Sequence, residues 1–131
     1  MKSKWPHFSK EELSCHGTCA HCSGSDERMN NRFMGTLEAI RADCGFALPV
    51  SSGYRCPQYN AKVSHTGING PHTTGKAVDI VVSGQEAYIL IGVAMAHGIK
   101  RIGVNQKGPM EKRFIHLDDA DSQCKPWIWT Y

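Results

Sequence analysis

The sequence predicts an α+β fold: a small antiparallel sheet with flanking helices. Two observations carry this. Apolar residues recur at helical spacing in one early segment, at Met29, Phe33, Leu37 and Ile40, and a second helix-length apolar run covers residues 84–97. Short strand-like segments at residues 48–54, 77–82, 100–104 and 113–118 fall between and after them. An order of helix, strands, helix, strands belongs to α+β and not to an alternating parallel sheet.

The elements follow in chain order. Residues 1–24 are rich in Cys, His, Ser and Gly and predict an irregular layer over the domain. The first helix is expected over residues 26–43, with Gly45 as its stop. LPVSSGY reads as a strand, Arg55-Cys56-Pro57 breaks it, and residues 58–62 form a short helical turn. Residues 64–75, SHTGINGPHTTG, are loop by composition. AVDIVV is a buried strand, and Ser83 with Glu86 offers a capping box for the helix that Gly98 closes. The tail KPWIWTY carries two of the three tryptophans and should pack back onto the domain.

At 131 residues the chain is read as a single domain, 1–131, with room for one modest core. Its 40% hydrophobic and 21% charged content suits a globular protein and argues against wholesale disorder. The net charge of +3 allows attraction to an anionic surface such as a bacterial wall without demanding it. No basic stripe interleaves with aromatics, so nucleic acid is not an expected partner. The start MKSKWPHFSKEELSCHG lacks the apolar stretch of a signal peptide, and the longest apolar run is too short to span a bilayer. A monomer made in the cytoplasm is expected.

Six cysteines is a high count, and three stand as Cys15-x3-Cys19-x2-Cys22. Without an export signal, metal binding or free thiols come before a disulfide framework. An iron–sulfur radical enzyme uses the same spacing but needs a much larger barrel. A second, structural zinc at Cys15, Cys19 and Cys22, completed by His16, His21 or a distant cysteine, stands against reduced thiols and occasional disulfides. Cys44, Cys56 and Cys124 are scattered.

The chemistry-bearing pattern is PHTTGKAVDI followed by FIHLDD. Two imidazoles and a carboxylate are the protein ligands of a zinc ion that keeps one position for water, and such water ionises near neutral pH. His72 and Asp79 can converge if the chain turns at Gly75. In the last strand, alternation places Phe114, His116 and Asp118 on one face and Ile115 and Leu117 on the other. A lone strand histidine is more often an ordinary hydrogen-bonded residue, and His-x6-Asp alone is weak. The weight comes from the combination with SSGYRCPQYN upstream and FIHLD downstream.

SGYRCPQYN, then HTTGKAVDI, then FIHLD resembles the zinc peptidases of the D-Ala-D-Ala carboxypeptidase and murein endopeptidase family, relatives of lysostaphin-type enzymes and the hedgehog domain. The resemblance covers about residues 8–131, with the motifs in the family's order and spacing, and is greatest to short phage and prophage members. It implies a hedgehog-like peptidase fold, zinc on His72, Asp79 and His116, and a substrate-anchoring Arg55. A guanidinium suits that last task, since peptidoglycan stems present free carboxylates that it can bind bidentately. Tyr54 and Asn60 either line the cleft or stabilise the turn.

Two departures from the family pattern stand out. Many members carry serine two residues before the first zinc histidine, where this chain has Gly70. Many place an acid or histidine two or three residues before the last ligand, where this chain has Phe114 and Arg113. The proton carrier is therefore sought first in Asp118 and second in Glu111, with an orienting role on His116 as the alternative for Asp118.

The resemblance implies hydrolysis of peptidoglycan stem-peptide or cross-link bonds, as a D,D-carboxypeptidase, a D,D-endopeptidase or an L-Ala-D-Glu endopeptidase. The setting would be phage lysis or wall remodelling, with the enzyme reaching wall or periplasm through a separate, holin-type pore. A catalytically inactive, zinc-containing wall-binding or structural module is the alternative. A third reading makes the N-terminal cysteines the main site of a zinc-ribbon-like interaction protein.

Overall fold

The computed structural model describes residues 2–20, 22–120 and 125–131. Four α-helices, α1 (Lys10–Leu13), α2 (Asn31–Cys44), α3 (Pro57–Val63) and α4 (Gly84–Ala96), accompany five strands among the described residues. The strands are β1 (Val50–Ser52), β2 (Ala77–Ile80), β3 (Arg101–Asn105), β4 (Phe114–Asp118) and β5 (Trp127–Thr130). They form one sheet in the order β1-β2-β4-β3-β5, antiparallel except for the parallel pair β3–β5. The expected α+β class with a small, mainly antiparallel sheet is the fold observed.

Helix α2 buries the expected stripe of Phe33, Leu37 and Ile40, joined by Met34, and packs against α4. Complete burial of each large apolar side chain is worth about 1.5–3 kcal/mol. The helix begins later than its periodicity suggests. Ser25–Arg28 is a separate 3-10 turn, and the Asn30 side chain accepts from the Phe33 N–H to cap α2 proper. Helix α4 occupies the expected span, but Ser83 makes no side-chain cap bond. The capping box lies instead at α1, where Ser9 and Glu12 satisfy each other's backbone N–H groups. The described residues of the N-terminal segment 1–24 are therefore less irregular than its composition suggests.

On the helix side of the sheet, Ile80, Ile115 and Leu117 are fully buried. The other face carries the polar side chains. The tail does return to the domain, as β5, whose Trp127–Thr130 pairs in parallel with Arg101–Val104. No helix of the described residues is long and apolar enough to cross a membrane.

Candidate metal centre

Strand register assembles half of the site. In the antiparallel β2–β4 pair Asp79 lies directly opposite His116, so their side chains leave the same face as neighbours. Across β4, His116 faces Gly103, and Gly103 in turn faces Trp129 of β5. Gly103 has no side chain to compete: a Cβ there would come within 2.6 Å of Trp129 Nε1. The indole fills that gap and tilts against the His116 ring, centroids 5.2 Å apart.

His72 arrives from outside the sheet, on the 3-10 turn Pro71–Thr74. Gly75 ends this turn at φ +74°, and a Cβ there would meet the Arg28 carbonyl oxygen at 2.2 Å. Glycine is required at this position for both reasons. The turn is tied to its surroundings by two backbone bonds, Arg55 N–H to the His72 carbonyl and Asn30 N–H to the Gly75 carbonyl. These place His72 Nε2 3.4 Å from Asp79 Oδ1, while His116 Nδ1 lies 2.9 Å from the same oxygen.

The three ligand atoms all lie within 4.8 Å of one another, and all three residues are buried. Ligands about 2.0–2.1 Å from a tetrahedral zinc stand roughly 3.3 Å apart. The two separations from Asp79 Oδ1, 3.4 and 2.9 Å, lie on either side of that spacing, and the donor set is the two-imidazole, one-carboxylate type that leaves a fourth position for solvent. The remaining ring nitrogens are committed. His72 Nδ1–H donates to the Gly53 carbonyl at 2.7 Å, and His116 Nε2–H donates to Asp118 Oδ2 at 2.6 Å. Those bonds select opposite ring nitrogens for the ion: Nε2 of His72 and Nδ1 of His116.

Electrostatics reinforce the arrangement. Burial pushes the Asp79 carboxyl up, but hydrogen bonds from His116 and His72, with their charges, outweigh it and hold the group well below the usual carboxylate range. Burial lowers His116, and the hydrogen bonds and charges of Asp118 and Asp79 more than reverse this, so its pKa rises. Both carboxylates thus favour positive charge on the His116 ring.

Asp118 shares the face of His116 but does not open onto the cleft. It is fully buried, bonded to His116 on one oxygen and paired with Arg101 Nε at 2.8 Å on the other. Glu111 lies on the exposed 3-10 turn Met110–Lys112, outside the residues that line the cleft. Tyr54 and Asn60 are both buried, and neither is among the residues that line the cleft.

Arg55 does line the cleft. Its Nε donates to Ser52 Oγ at 2.9 Å, Nη1 to Asn60 Oδ1 at 3.1 Å, and Nη2 approaches Asp79 Oδ2 at 3.4 Å. Asn60 also donates to Thr66 Oγ1 and the Gly67 carbonyl, and this explains Gly70. A Cβ at Gly70 would meet Thr66 Oγ1 at 2.1 Å and Asn60 Nδ2 at 2.5 Å. The space a serine side chain would need is filled by the brace that holds Arg55.

The cleft has a volume of about 840 Å³, and His72, Asp79, His116 and Arg55 share its lining. Phe114, Trp129 and Tyr131 supply apolar wall, and His65 stands at its edge in the loop after α3. Trp129, Tyr131 and His65 carried no readable signal. The two aromatics reach the cleft only because β5 joins the sheet, and His65 sits in a loop without periodicity.

The sequence model of the family described as peptidase M15 matches residues 6–118. The chain belongs to the peptidase M15 family. The family is one of zinc peptidases of the D-Ala-D-Ala carboxypeptidase type, and membership makes this M15 chain a metallopeptidase. No curated protein matches the M15 chain.

Proposed function

We propose that the chain is a zinc-dependent peptidoglycan peptidase that hydrolyses stem-peptide or cross-link bonds, with zinc on His72, Asp79 and His116. The observation that carries this reading is one cleft wall holding both the three-ligand cluster and the Arg55 guanidinium. Zinc, when bound, would polarise the scissile carbonyl and activate water for attack. The chain's own residues do the positioning. A guanidinium has five N–H donors, and Arg55 commits three of them within the protein. Arg55 lines the cleft, and the N–H groups left over suit a stem-peptide carboxylate, which would hold the bond over the ligand cluster. Phe114 and Trp129 give the peptide an apolar wall.

Asp118 acts in this reading through His116, as a positioning residue. It accepts the Nε2 proton, which keeps the Nδ1 lone pair turned toward the ion. Of the described cleft-lining groups outside the triad, His65 and Tyr131 are the ones able to exchange a proton with a leaving amine. Burial pushes the Tyr131 phenol up, so it remains an O–H donor at neutral pH. Phage lysis or wall remodelling is the setting proposed, with action in the wall or periplasm.

The deciding experiment is mass spectrometry of purified peptidoglycan after incubation with the protein, with and without a chelator. New stem-peptide termini that vanish with the chelator are expected, and their masses identify the bond. A second reading is favoured by one fact: neither Asp118 nor Glu111 opens onto the cleft. It is an inactive zinc-containing wall-binding module. Bound zinc with no released fragments would establish it and overturn the peptidase.

A further inference from the structure

The cysteines of the N-terminal segment are drawn together with one from a distant part of the chain. Cys15, Cys19, Cys22 and Cys56 place their sulfurs within 4.8 Å of one another, three of the residues buried and Cys19 partly so. Cys19 and Cys22 are joined as a disulfide, and Cys15 and Cys56 are free. His16 is not part of the group: it is exposed, with Nε2 on the Glu11 carbonyl. His21 and Cys124 lie outside the described residues.

We propose that Cys15, Cys19, Cys22 and Cys56 form a second metal centre, a four-thiolate zinc site, of which the Cys19–Cys22 disulfide is the oxidised, metal-free counterpart. Thiolates about 2.3 Å from a tetrahedral zinc stand roughly 3.8 Å apart. The sulfur separations are 3.2 Å for Cys19–Cys56, 3.4 Å for Cys15–Cys22 and 3.9 Å for Cys22–Cys56. Closing a tetrahedron around an ion therefore needs only small shifts once the Cys19–Cys22 bond is open. The Cys-x2-Cys turn is already formed, with Cys22 N–H on the Cys19 carbonyl.

The surroundings suit thiolates. Cys15 Sγ accepts the Cys56 N–H at 3.3 Å, and Cys56 Sγ accepts the Tyr59 N–H at 3.4 Å as the cap of α3. Ser25 Oγ accepts the Cys15 N–H and donates to the Cys22 carbonyl, bracing both ends of the cysteine segment. Donors aimed at the sulfurs, and a backbone held by its own bonds, are what a metal–thiolate shell requires around it. Four thiolates in tetrahedral array select zinc or iron over harder ions.

The chemistry balances with a dithiol as reductant. It gives two electrons and two protons to the Cys19–Cys22 disulfide, becoming a disulfide itself and leaving two thiols. The four thiols then release four protons as they take up the ion. The site would fasten the N-terminal segment to the start of α3, one residue from Arg55. Cys56 is next in the chain to Arg55, and Tyr54 N–H already bonds the Leu13 carbonyl. The centre lies apart from the His72–Asp79–His116 cluster, and the proposal does not depend on hydrolysis.

The test uses the full chain, purified with a dithiol reductant and zinc. Metal analysis should find a second zinc equivalent in the unaltered protein and in Cys44→Ser, and lose that equivalent in Cys15→Ser. Because a cysteine variant could fail to fold, X-ray absorption at the zinc edge is read on His72→Ala/His116→Ala, which has lost two ligands of the other site. Sulfur neighbours alone at about 2.3 Å are expected there. A Cys19–Cys22 bond that survives dithiol and zinc, nitrogen and oxygen neighbours only, or iron in place of zinc would overturn the proposal. Failure of the unaltered protein to hydrolyse peptidoglycan, with the sulfur-only spectrum obtained from the variant, would count against the peptidase reading alone.

Discussion

His116 donates its Nε2 proton to Asp118 Oδ2 at 2.6 Å while its Nδ1 faces Asp79 Oδ1 at 2.9 Å, so one imidazole bridges two carboxylates. Of the two carboxylates, Asp79 lines the cleft and Asp118 does not. Asp118 is held in place from behind by Arg101. Ring orientation in the candidate metal centre therefore depends on a residue that does not line the cleft.

Asp118→Asn separates a positioning role from proton transfer. Loss of an orienting carboxylate typically weakens metal binding about 10–100-fold. Competition with a chromophoric chelator should show zinc affinity reduced on that order, with kcat largely recovered at saturating zinc. Unchanged affinity with a collapsed kcat would instead make Asp118 the proton carrier.

Arg55→Ala should leave zinc content intact and lower kcat/KM. Hydrogen bonds to charged groups are worth about 1.5–3 kcal/mol, on the order of a 10- to 100-fold loss. Substrates lacking a free carboxylate near the scissile bond should be nearly insensitive to the change. Comparing amidated with free stem peptides measures this directly.

Gly70→Ser would push a side chain into Asn60 and Thr66. Overpacking of this kind costs about 1–3 kcal/mol. Thermal unfolding should show a lowered Tm, and kcat/KM should fall further as Asn60 lets go of Arg55. A serine accepted without loss of stability would mean the Asn60 brace is dispensable.

Gly75→Ala should destabilise the chain by about 1–3 kcal/mol through its left-handed backbone alone, before the contact with Arg28 is counted. Since Gly75 ends the turn that delivers His72, zinc content should fall with stability. Metal analysis beside the unfolding curve checks both.

Removing the ion with a chelator should lower Tm and abolish hydrolysis, and added zinc should restore both. The stabilisation grows with the ratio of free zinc to its Kd, about 2.7 kcal/mol at a hundredfold excess. Calorimetry across a zinc titration tests the dependence.

Local pattern made several features legible. The apolar spacing of Phe33, Leu37 and Ile40 marked α2, and the alternation of β4 placed His116 and Asp118 on the face opposite Ile115 and Leu117. The spacing of HTTGKAVDI and FIHLD singled out the three residues that the structure gathers. Other features were misread because competing local bonds decided them. Ser83 has capping-box spacing yet leaves its cap bond unmade, while Ser9 and Glu12 complete one in a segment that looked irregular.

The chain's residue order alone carried the α+β class, the candidate ligands His72, Asp79 and His116, and three of the four clustered cysteines, through short-range periodicity, spacing and family-like motifs. Tertiary structure decided that Asp79 stands opposite His116, that Trp129 occupies the gap at Gly103, and that Cys56 joins Cys15, Cys19 and Cys22. It also turned Asp118 away from the cleft. Strand register, ring rotamers and contacts between distant segments come from long-range pairing and packing, and neither hydropathy period nor motif spacing encodes them.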